Sequence, residues 1–370
     1  MSNIKWFKQI LFGAICTVLV FVNAGYVYAD TTESSQITIT ASPSLTQGGT
    51  LNFDLARHPL TLDEMKLLID ALQTSGFSNL SLRLGDSERL MYQSPYLQNT
   101  NSDAFSTADL RELVLYATQH QISIIPDLDL PSHAGAILKA LKLSQPDLYQ
   151  QIYMDDNTLD YTNPLSIELA KTLAAELYPI FEGQQTQSFV IGADEVPGSD
   201  SLYENYLTTF INQVSTDSIA HGYTPIIWND SILKNEVPKL NTSILIYYWS
   251  QAGHTQGEEL INRGTTRASV SDLVTAGFQV LNANDYSNTY HLSNLGDLDS
   301  ENYFLNYLKN VSNPSLFQEV IDGESQWWTT ENAQNNGSLI SFWGENSSTV
   351  SITSITSLIV RINLPLIILQ

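Results

Sequence analysis

The stretch Ser188-Phe189-Val190-Ile191-Gly192-Ala193-Asp194-Glu195 reads as a short buried strand that runs directly into two adjacent carboxylates. An apolar run of this length, punctuated by Gly, is the pattern of a strand covered on both faces. The chain repeats it. Leu51–Leu55, Leu80–Leu84, Ile122–Pro126, Pro225–Trp228, Ser243–Trp249, Phe278–Asn282 and Ser338–Trp343 are similar runs. Helical patterns such as Leu62–Gln73, Ala108–His120 and Ile167–Leu177, or long loops, separate them. Strands alternating with helices are the mark of parallel βα units. Eight such units over roughly 320 residues predict one α/β domain, a single (β/α)₈ barrel with enlarged βα loops. An open doubly wound sheet is the alternative, and no Gly-rich phosphate fingerprint follows the first strand to favour it.

The 370 residues are 43% hydrophobic and 10% aromatic, enough to build a packed core. Asp and Glu number 39 against 16 Lys and Arg, a net charge of −23. That balance argues against a nucleic-acid partner, whose phosphates need clustered cations, and disfavours anionic ligands generally. A single Cys excludes a disulfide within the chain. Lys5 and Lys8 precede an apolar run from Ile10 to Val22, and Val27-Tyr28-Ala29 then offers small residues before polar Asp30. This is the layout of a secretory signal peptide over residues 1–29, followed by a leader over 30–48 and a catalytic barrel over 49–370. The mature protein is thus expected outside the cell, with no stable membrane insertion once the signal is removed; an uncleaved anchor is the alternative. The tail from Ser347 to Gln370 is rich in Ser, Thr and Ile, a weak helix former where a closing helix is needed.

In such a barrel the chemistry sits at the C-terminal ends of the strands. Asp54, Arg57 and His58 follow the first run, Asp86 and Glu88 the second, Asp127, Asp129 and His133 the third. Three Trp residues, Trp228, Trp249 and Trp343, end three of the later runs. A single Trp there is most simply core, but three at equivalent places suit an aromatic wall around a sugar ring or acyl group. Asp194-Glu195 alone is the pattern of a solvated surface pair. Placed after a buried strand, it suits an acid with a raised pKa. Neighbouring carboxylates cannot face each other about 5 Å apart across a bond, as the acid and nucleophile of a retaining glycosidase do. One acid with one positioning carboxylate is the natural alternative. His133 fits either a hydrogen-bonded core or the site. No His-x-x-x-His pair, thiolate or calcium-loop spacing suggests a metal.

Six blocks carry a resemblance. Asp54-Leu55-Ala56-Arg57-His58, Pro126-Asp127-Leu128-Asp129-Leu130-Pro131-Ser132-His133, Gly192-Ala193-Asp194-Glu195, Trp228-Asn229-Asp230, Tyr247-Tyr248-Trp249-Ser250 and Phe342-Trp343-Gly344-Glu345 resemble, in order, the signature blocks of family 20 glycoside hydrolases, the β-N-acetylhexosaminidases. The resemblance implies a hydrolase of β-linked N-acetylglucosamine, with poly-β-1,6-N-acetylglucosamine of biofilm matrix as the expected polymer and no cofactor or metal. It also implies a substrate-assisted mechanism, the exception to the two-carboxylate scheme, in which the 2-acetamido oxygen attacks the anomeric carbon. Carried over residue by residue, Glu195 is the general acid and base, and Asp194 accepts the acetamido N–H. Tyr290 donates to the acetamido oxygen, with Tyr286 as its competitor. Trp228, Trp249 and Trp343 enclose the sugar, Arg57 and Glu345 bind its hydroxyls, and Asp54 with His133 forms a relay behind the acid. Ala193 stands where Gly is usual, and Val190, Gly198 and His254 also depart from the pattern. Alternatives are an exo-acting β-N-acetylhexosaminidase on chitin oligomers or host glycans, and a catalytically silent glycan-binding protein.

Overall fold

The computed structural model describes residues 49–99, 101–198, 204–310, 314–321, 323–329 and 335–362. The segments read as signal peptide and leader, and the last residues of the tail, lie outside these. The described elements run β1 (Thr50–Phe53), α1 (Leu62–Thr74), β2 (Asn79–Arg83), α2 (Thr107–Gln119), β3 (Ser123–Leu130), α3 (Gly135–Ser144), α4 (Pro146–Ile152), a small hairpin of β4 (Tyr153–Asp155) and β5 (Thr158–Leu159), and α5 (Pro164–Phe181). Next come β6 (Ser188–Gly192), α6 (Glu204–Ala220), β7 (Thr224–Trp228), β8 (Leu245–Tyr248), α7 (Gly257–Thr266), α8 (Val270–Thr275), β9 (Gln279–Asn282), α9 (Asp285–Asn288) and β10 (Thr289–His291). The chain continues through α10 (Leu298–Asn310), a hairpin of β11 (Leu316–Ile321) and β12 (Glu324–Thr329), β13 (Asn335–Trp343) and α11 (Ile352–Ile362).

The strands β1, β2, β3, β6, β7, β8, β9 and β13 are joined in that order by parallel pairing, and β13 pairs back onto β1 from Thr50↔Leu339 to Phe53↔Phe342. The sheet is therefore closed, a (β/α)₈ barrel, and its eight staves are the eight runs read from the sequence. No helix among the described residues is long and apolar enough to cross a membrane.

Side-chain parity sets what each strand shows to the inside. Leu51 and Phe53, Leu80 and Leu82, Phe189 and Ile191, Ile340 and Phe342 belong to the large outer core under the helices. Their neighbours of opposite parity point into the barrel. From β7, β8 and β9 these are Ile226, Trp228, Leu245, Tyr247 and Leu281, one apolar cluster. From β1, β2 and β3 they include Asn52, Ser81, Arg83, Asp127 and Asp129, all buried. Carried past the strand ends, the inward parity lands first on Asp54, Asp194, Asp230, Trp249 and Glu345, and past β9 on Ala283 and then Asp285.

Local chemistry supports the frame. Capping boxes start α1 (Thr61 with Glu64), α2 (Ser106 with Asp109) and α8 (Ser269 with Asp272). β3 and β6 approach so closely that a Cβ on Gly192, at φ +128°, would stand 2.4 Å from Asp129 Cα, so only Gly fits. The weak tail does form a helix. In α11, Ile352, Ile355, Leu358, Ile359 and Ile362 make a continuous buried stripe. The Ser75 hydroxyl donates to the Ile359 carbonyl at 2.9 Å, and Arg361 pairs with Glu301 of α10. Packing thus overrides the poor intrinsic propensity of β-branched residues.

Candidate active site

At the C-terminal mouth of the barrel lies a cavity of about 260 Å³ lined by Arg57, His133, Asp194, Glu195, the three Trp residues and Glu345, with His254, Asp285, Thr289 and His291 at its edge. The site residues that sequence reasoning scattered along the chain are thereby brought together, with three exceptions, Asp54, Tyr286 and Tyr290.

The floor on the β1–β3 side is an ion-pair lattice. Arg57 Nη1 meets Asp54 Oδ2 at 3.1 Å and Glu345 Oε1 at 2.9 Å, and its Nη2 meets Asp86 Oδ2 at 2.9 Å. Beneath it, the fully buried Arg83 reaches Asp86 at 2.7 Å and Asp129 at 2.5 Å, with the Trp343 ring 5.3 Å from its guanidinium carbon. Burial alone would raise the Asp86 pKa, but Arg83, then His133 and Arg57, hold its carboxyl far below the usual range. The relay behind the acid is therefore not the one expected. Asp54 is occupied elsewhere: its Oδ1 accepts the Arg57 N–H and its Oδ2 the Gly344 N–H, each at 3.1 Å. The carboxylate beside His133 Nδ1 is Asp86, at 3.4 Å, while His133 Nε2 faces Glu195 at 3.7 Å, Asp194 at 3.8 Å and Asp129 at 3.9 Å.

Asp194 and Glu195 leave the end of β6 on a backbone of unusual conformation. Ala193 and Glu195 sit at φ +64° and +49°, and across from them Asp129 and His133 at +49° and +51°. Left-handed non-Gly residues cost on the order of 1 kcal/mol or more each and persist where surroundings impose them. The positive φ also explains why Gly suits position 193. The surroundings here are explicit: the Glu195 N–H donates to Asp230 Oδ2 and the Val196 N–H to Ser231 Oγ, both at 2.9 Å, and Ser132 Oγ donates to the Asp194 carbonyl. The two carboxyls end in different environments. Asp194 is 8% exposed, and burial first, then Asp230, Asp129 and Glu195, push its pKa well up. Glu195 keeps 62% of its side chain exposed in the mouth.

Opposite stands the aromatic wall. Trp228, 1% exposed, packs edge-on to Tyr247 at 5.2 Å and tilts against Trp343 at 6.0 Å. Asn229 braces it: its Oδ1 accepts the Trp249 N–H at 2.8 Å and its Nδ2 donates to the Ser250 carbonyl at 2.7 Å. Tyr290 does not join this wall. β10 pairs with β13 as Tyr290↔Phe342, so Tyr290 shares the outward parity of Phe342 and packs against Phe304 at 4.9 Å. Its neighbours Thr289 and His291 face the cavity instead. Tyr286 lies on the rim, 57% exposed, and lines an adjoining groove. Two pairings escaped sequence reasoning, although His254 itself stood out there as a departure from the family pattern. His291 Nδ1 stands 3.6 Å from Glu345 Oε2, and His254 Nε2 meets Asp285 Oδ2 at 2.7 Å. Inward parity past β9 would have pointed to Asp285, but both histidines depend on pairing and loop paths that no local pattern encodes.

Asp129, His133 and Asp194 bring possible metal-ligand atoms within 4.8 Å of one another. The positive charge a metal would supply there is already delivered by Arg83 against Asp129.

A family model described as glycosyl hydrolase family 20, catalytic domain, matches residues 48–352. Among curated proteins, β-hexosaminidase subunit A1 of Dictyostelium discoideum is 26% identical over 307 residues, 76% of this chain and 54% of that protein. The chain thus spans about half the length of that relative. Among solved structures, dispersin B is 27% identical with a TM-score of 0.75, over 86% of this chain and 98% of that one. A structure of pneumococcal StrH shares the fold at 19% identity and a TM-score of 0.69, over 88% of this chain and 84% of that one. The family match opens just before β1 and closes on the first residue of α11, so it takes in every stave of the barrel: the chain belongs to glycosyl hydrolase family 20.

Proposed function

We propose that this protein is a retaining β-N-acetylglucosaminidase that uses the substrate's own acetamido group, and that its substrate is a β-linked N-acetylglucosamine polymer, poly-β-1,6-N-acetylglucosamine of biofilm matrix. The observation that carries the reading is that Asp194 and Glu195 both face one nitrogen, His133 Nε2, at 3.8 and 3.7 Å, and so serve the same side of a substrate. The other carboxylates of the cavity are each held by a basic side chain, Glu345 by Arg57 and Asp285 by His254. An enzyme nucleophile across the ring has no natural candidate, and an internal one needs none.

In this reading Glu195 gives its proton to the glycosidic oxygen as the acetamido oxygen bonds to the anomeric carbon and the glycosidic bond breaks. Glu195 then takes a proton from water, which attacks the same carbon and restores the acetamide with configuration retained. Asp194 accepts the acetamido N–H and balances the charge on the oxazolinium ring. A buried carboxyl with a raised pKa resists ionisation when alone, so a substrate N–H and the developing cation meet a group whose charge gains most from them. The Trp wall encloses the acetamido methyl and the sugar face, and Arg57 with Glu345 binds hydroxyls. His133, backed by Asp86, sets the electrostatics of both acids. Similarity to dispersin B over 98% of that chain supports the polymer substrate. The basic and apolar start of the chain supports export.

Hydrolysis of 4-nitrophenyl N-acetyl-β-glucosaminide tests the chemistry: the wild type turns over and Glu195→Gln loses roughly 10²-fold or more in kcat, the scale of a general acid. Equal rates would show that Glu195 is misassigned, and an inactive wild type that still binds glycan would support the silent binding protein. Comparing β-1,6- with β-1,4-linked oligomers tests the polymer, and preference for the β-1,4 series would favour the chitin-type reading.

A further inference from the structure

His58 is a buried titratable residue that the proposed chemistry does not use. It is 5% exposed and does not line the catalytic cavity. It sits in the loop after β1, where its backbone N–H donates to the Asp54 carbonyl at 3.0 Å and its ring stands edge-on to Phe53 at 6.1 Å. Its Nδ1 reaches across the seam that closes the barrel to Ser347 Oγ, at 2.7 Å. Ser347, also buried, donates in turn to the Gly344 carbonyl at 2.6 Å. A hydroxyl has one proton, and a carbonyl can only accept. The Ser347 proton thus goes to Gly344, and its oxygen accepts from an N–H at Nδ1 of His58. Burial, against the pull of Glu64 and of Ser347 itself, lowers the His58 pKa, so the ring holds a single proton at neutral pH.

The bond to Ser347 secures a turn. Gly344, Glu345, Asn346 and Ser347 follow β13, with Asn346 at φ +53°, a left-handed position that Asn tolerates. Gly344 lies so close to the loop after β1 that a Cβ on it would stand 2.8 Å from the His58 nitrogen of the backbone. The two ends of the turn are held separately: the Gly344 N–H by Asp54 Oδ2 at 3.1 Å, and Ser347 by His58. Between them projects Glu345, with 41% of its side chain exposed and its Oε1 at 2.9 Å from Arg57 Nη1. An ion pair so exposed holds its partners weakly, and a bound sugar would compete for both. The buried His58–Ser347 bond is out of the sugar's reach.

We propose that His58 is a positioning residue for sugar binding: through Ser347 it fixes the far end of the Gly344–Ser347 turn and so holds the Glu345 carboxylate at the edge of the cavity. The inference rests on the proposed function, in which Glu345 binds sugar hydroxyls, and adds to it a residue that touches no sugar. A carboxylate fixed before the ligand arrives loses less freedom on binding. Without the bond, Asp54 holds the turn at one end only, and the sugar must order Glu345 itself.

The test measures kcat and KM of the full chain on 4-nitrophenyl N-acetyl-β-glucosaminide. Ser347→Ala removes the hydroxyl, and KM is expected to rise about fivefold, the scale of one net hydrogen bond, with kcat within about twofold of wild type. A mere loss of folded protein would instead lower kcat and leave KM alone. Should Ser347→Ala not fold, His58→Leu, which removes only the donor, is read the same way. His58→Asn places an N–H near the Nδ1 position and is expected to keep the wild-type KM. Added to Glu345→Ala, Ser347→Ala is expected to change KM no further, because its effect passes through Glu345. An unchanged KM in folded Ser347→Ala or His58→Leu, or a further rise of about fivefold on top of Glu345→Ala, overturns the inference. If the wild type does not cleave the chromogenic sugar at all, the proposed function fails instead. Calorimetric binding of N-acetylglucosamine then decides: weakening by Ser347→Ala supports the role of His58, and equal affinity or no binding overturns it.

Discussion

The two halves of the barrel interior are built on opposite principles. β1, β2 and β3 turn Asn52, Ser81, Arg83, Asp127 and Asp129 inward, whereas β7, β8 and β9 turn Ile226, Trp228, Leu245, Tyr247 and Leu281. The first half sets charge and orientation. The second excludes water and gives shape. β6 and β13 are the seams between them, apolar low down at Val190 and Leu339 and acidic at the top with Asp194, Glu195 and Glu345. Acids on a seam feel both sides: a low-dielectric wall that raises the value of each interaction, and fixed charges that direct it. The comparison teaches that the charged half must be costly alone, and that the aromatic half supports it.

The sharpest way to break the contrast is Arg83→Met. It leaves Asp129 buried without its arginine and Asp86 with Arg57 alone, and breaking such a lattice costs about 3–5 kcal/mol, read by denaturant unfolding. Asp194→Asn separates stability from function on the seam. Its kcat should fall about 10²–10³-fold, on the scale of a lost transition-state partner. Because burial raises the folded pKa of Asp194 above its unfolded value, proton-linked stability is present at low pH and lost as pH rises through the folded value. Ionised Asp194 is thus a burden at neutral pH. Asp194→Asn should melt higher than wild type at pH 7, and the gain should vanish below about pH 4.

A smaller effect is expected on the other seam. The Glu345 carboxylate beside His291 raises the histidine pKa, so their attraction is complete below about pH 6.5 and lost as pH rises through the folded value. Glu345, which burial would raise but His291 and Arg57 hold below its usual range, loses its part only on strong acidification. Wild-type KM for the chromogenic sugar should therefore climb above neutrality. His291→Gln should show a KM about threefold higher at pH 6 and little pH dependence, the size of a half-exposed ion pair. The smallest change belongs to Tyr290→Phe, whose kcat/KM should stay within about twofold because the ring packs outside the cavity. A loss like that of Asp194→Asn would move Tyr290 back into the site.

Much of this was legible in the sequence because it is local. Eight apolar runs mark the staves, and the residues just past them mark the mouth, including Asp194, Glu195 and the three Trp residues. Other features needed contacts between distant segments. Tyr290 faces outward because β10 aligns it with Phe342, a pairing set by β13 and not by its neighbours. Asp54 and Asp86 are carboxylates just past adjacent strands, and only the path of the loops decides that Asp86 meets His133. The Ile-rich tail makes a poor isolated helix and a good packed one, since its stripe matches the surface it covers.

The pairing of β1 with β13 has a consequence for the order of events in the life of the molecule. The Gly344 N–H reaches Asp54 across 290 residues of sequence, and Glu345 meets Arg57 through the same closure. Contacts so far apart must wait until nearly everything between them has been made and gathered. A nascent chain carries Asp194 and Glu195 long before it has Glu345 and Trp343, so one seam of the mouth exists well before the other. The pocket is complete only when the last stave joins the first, which makes the finished cavity a report that the barrel has closed.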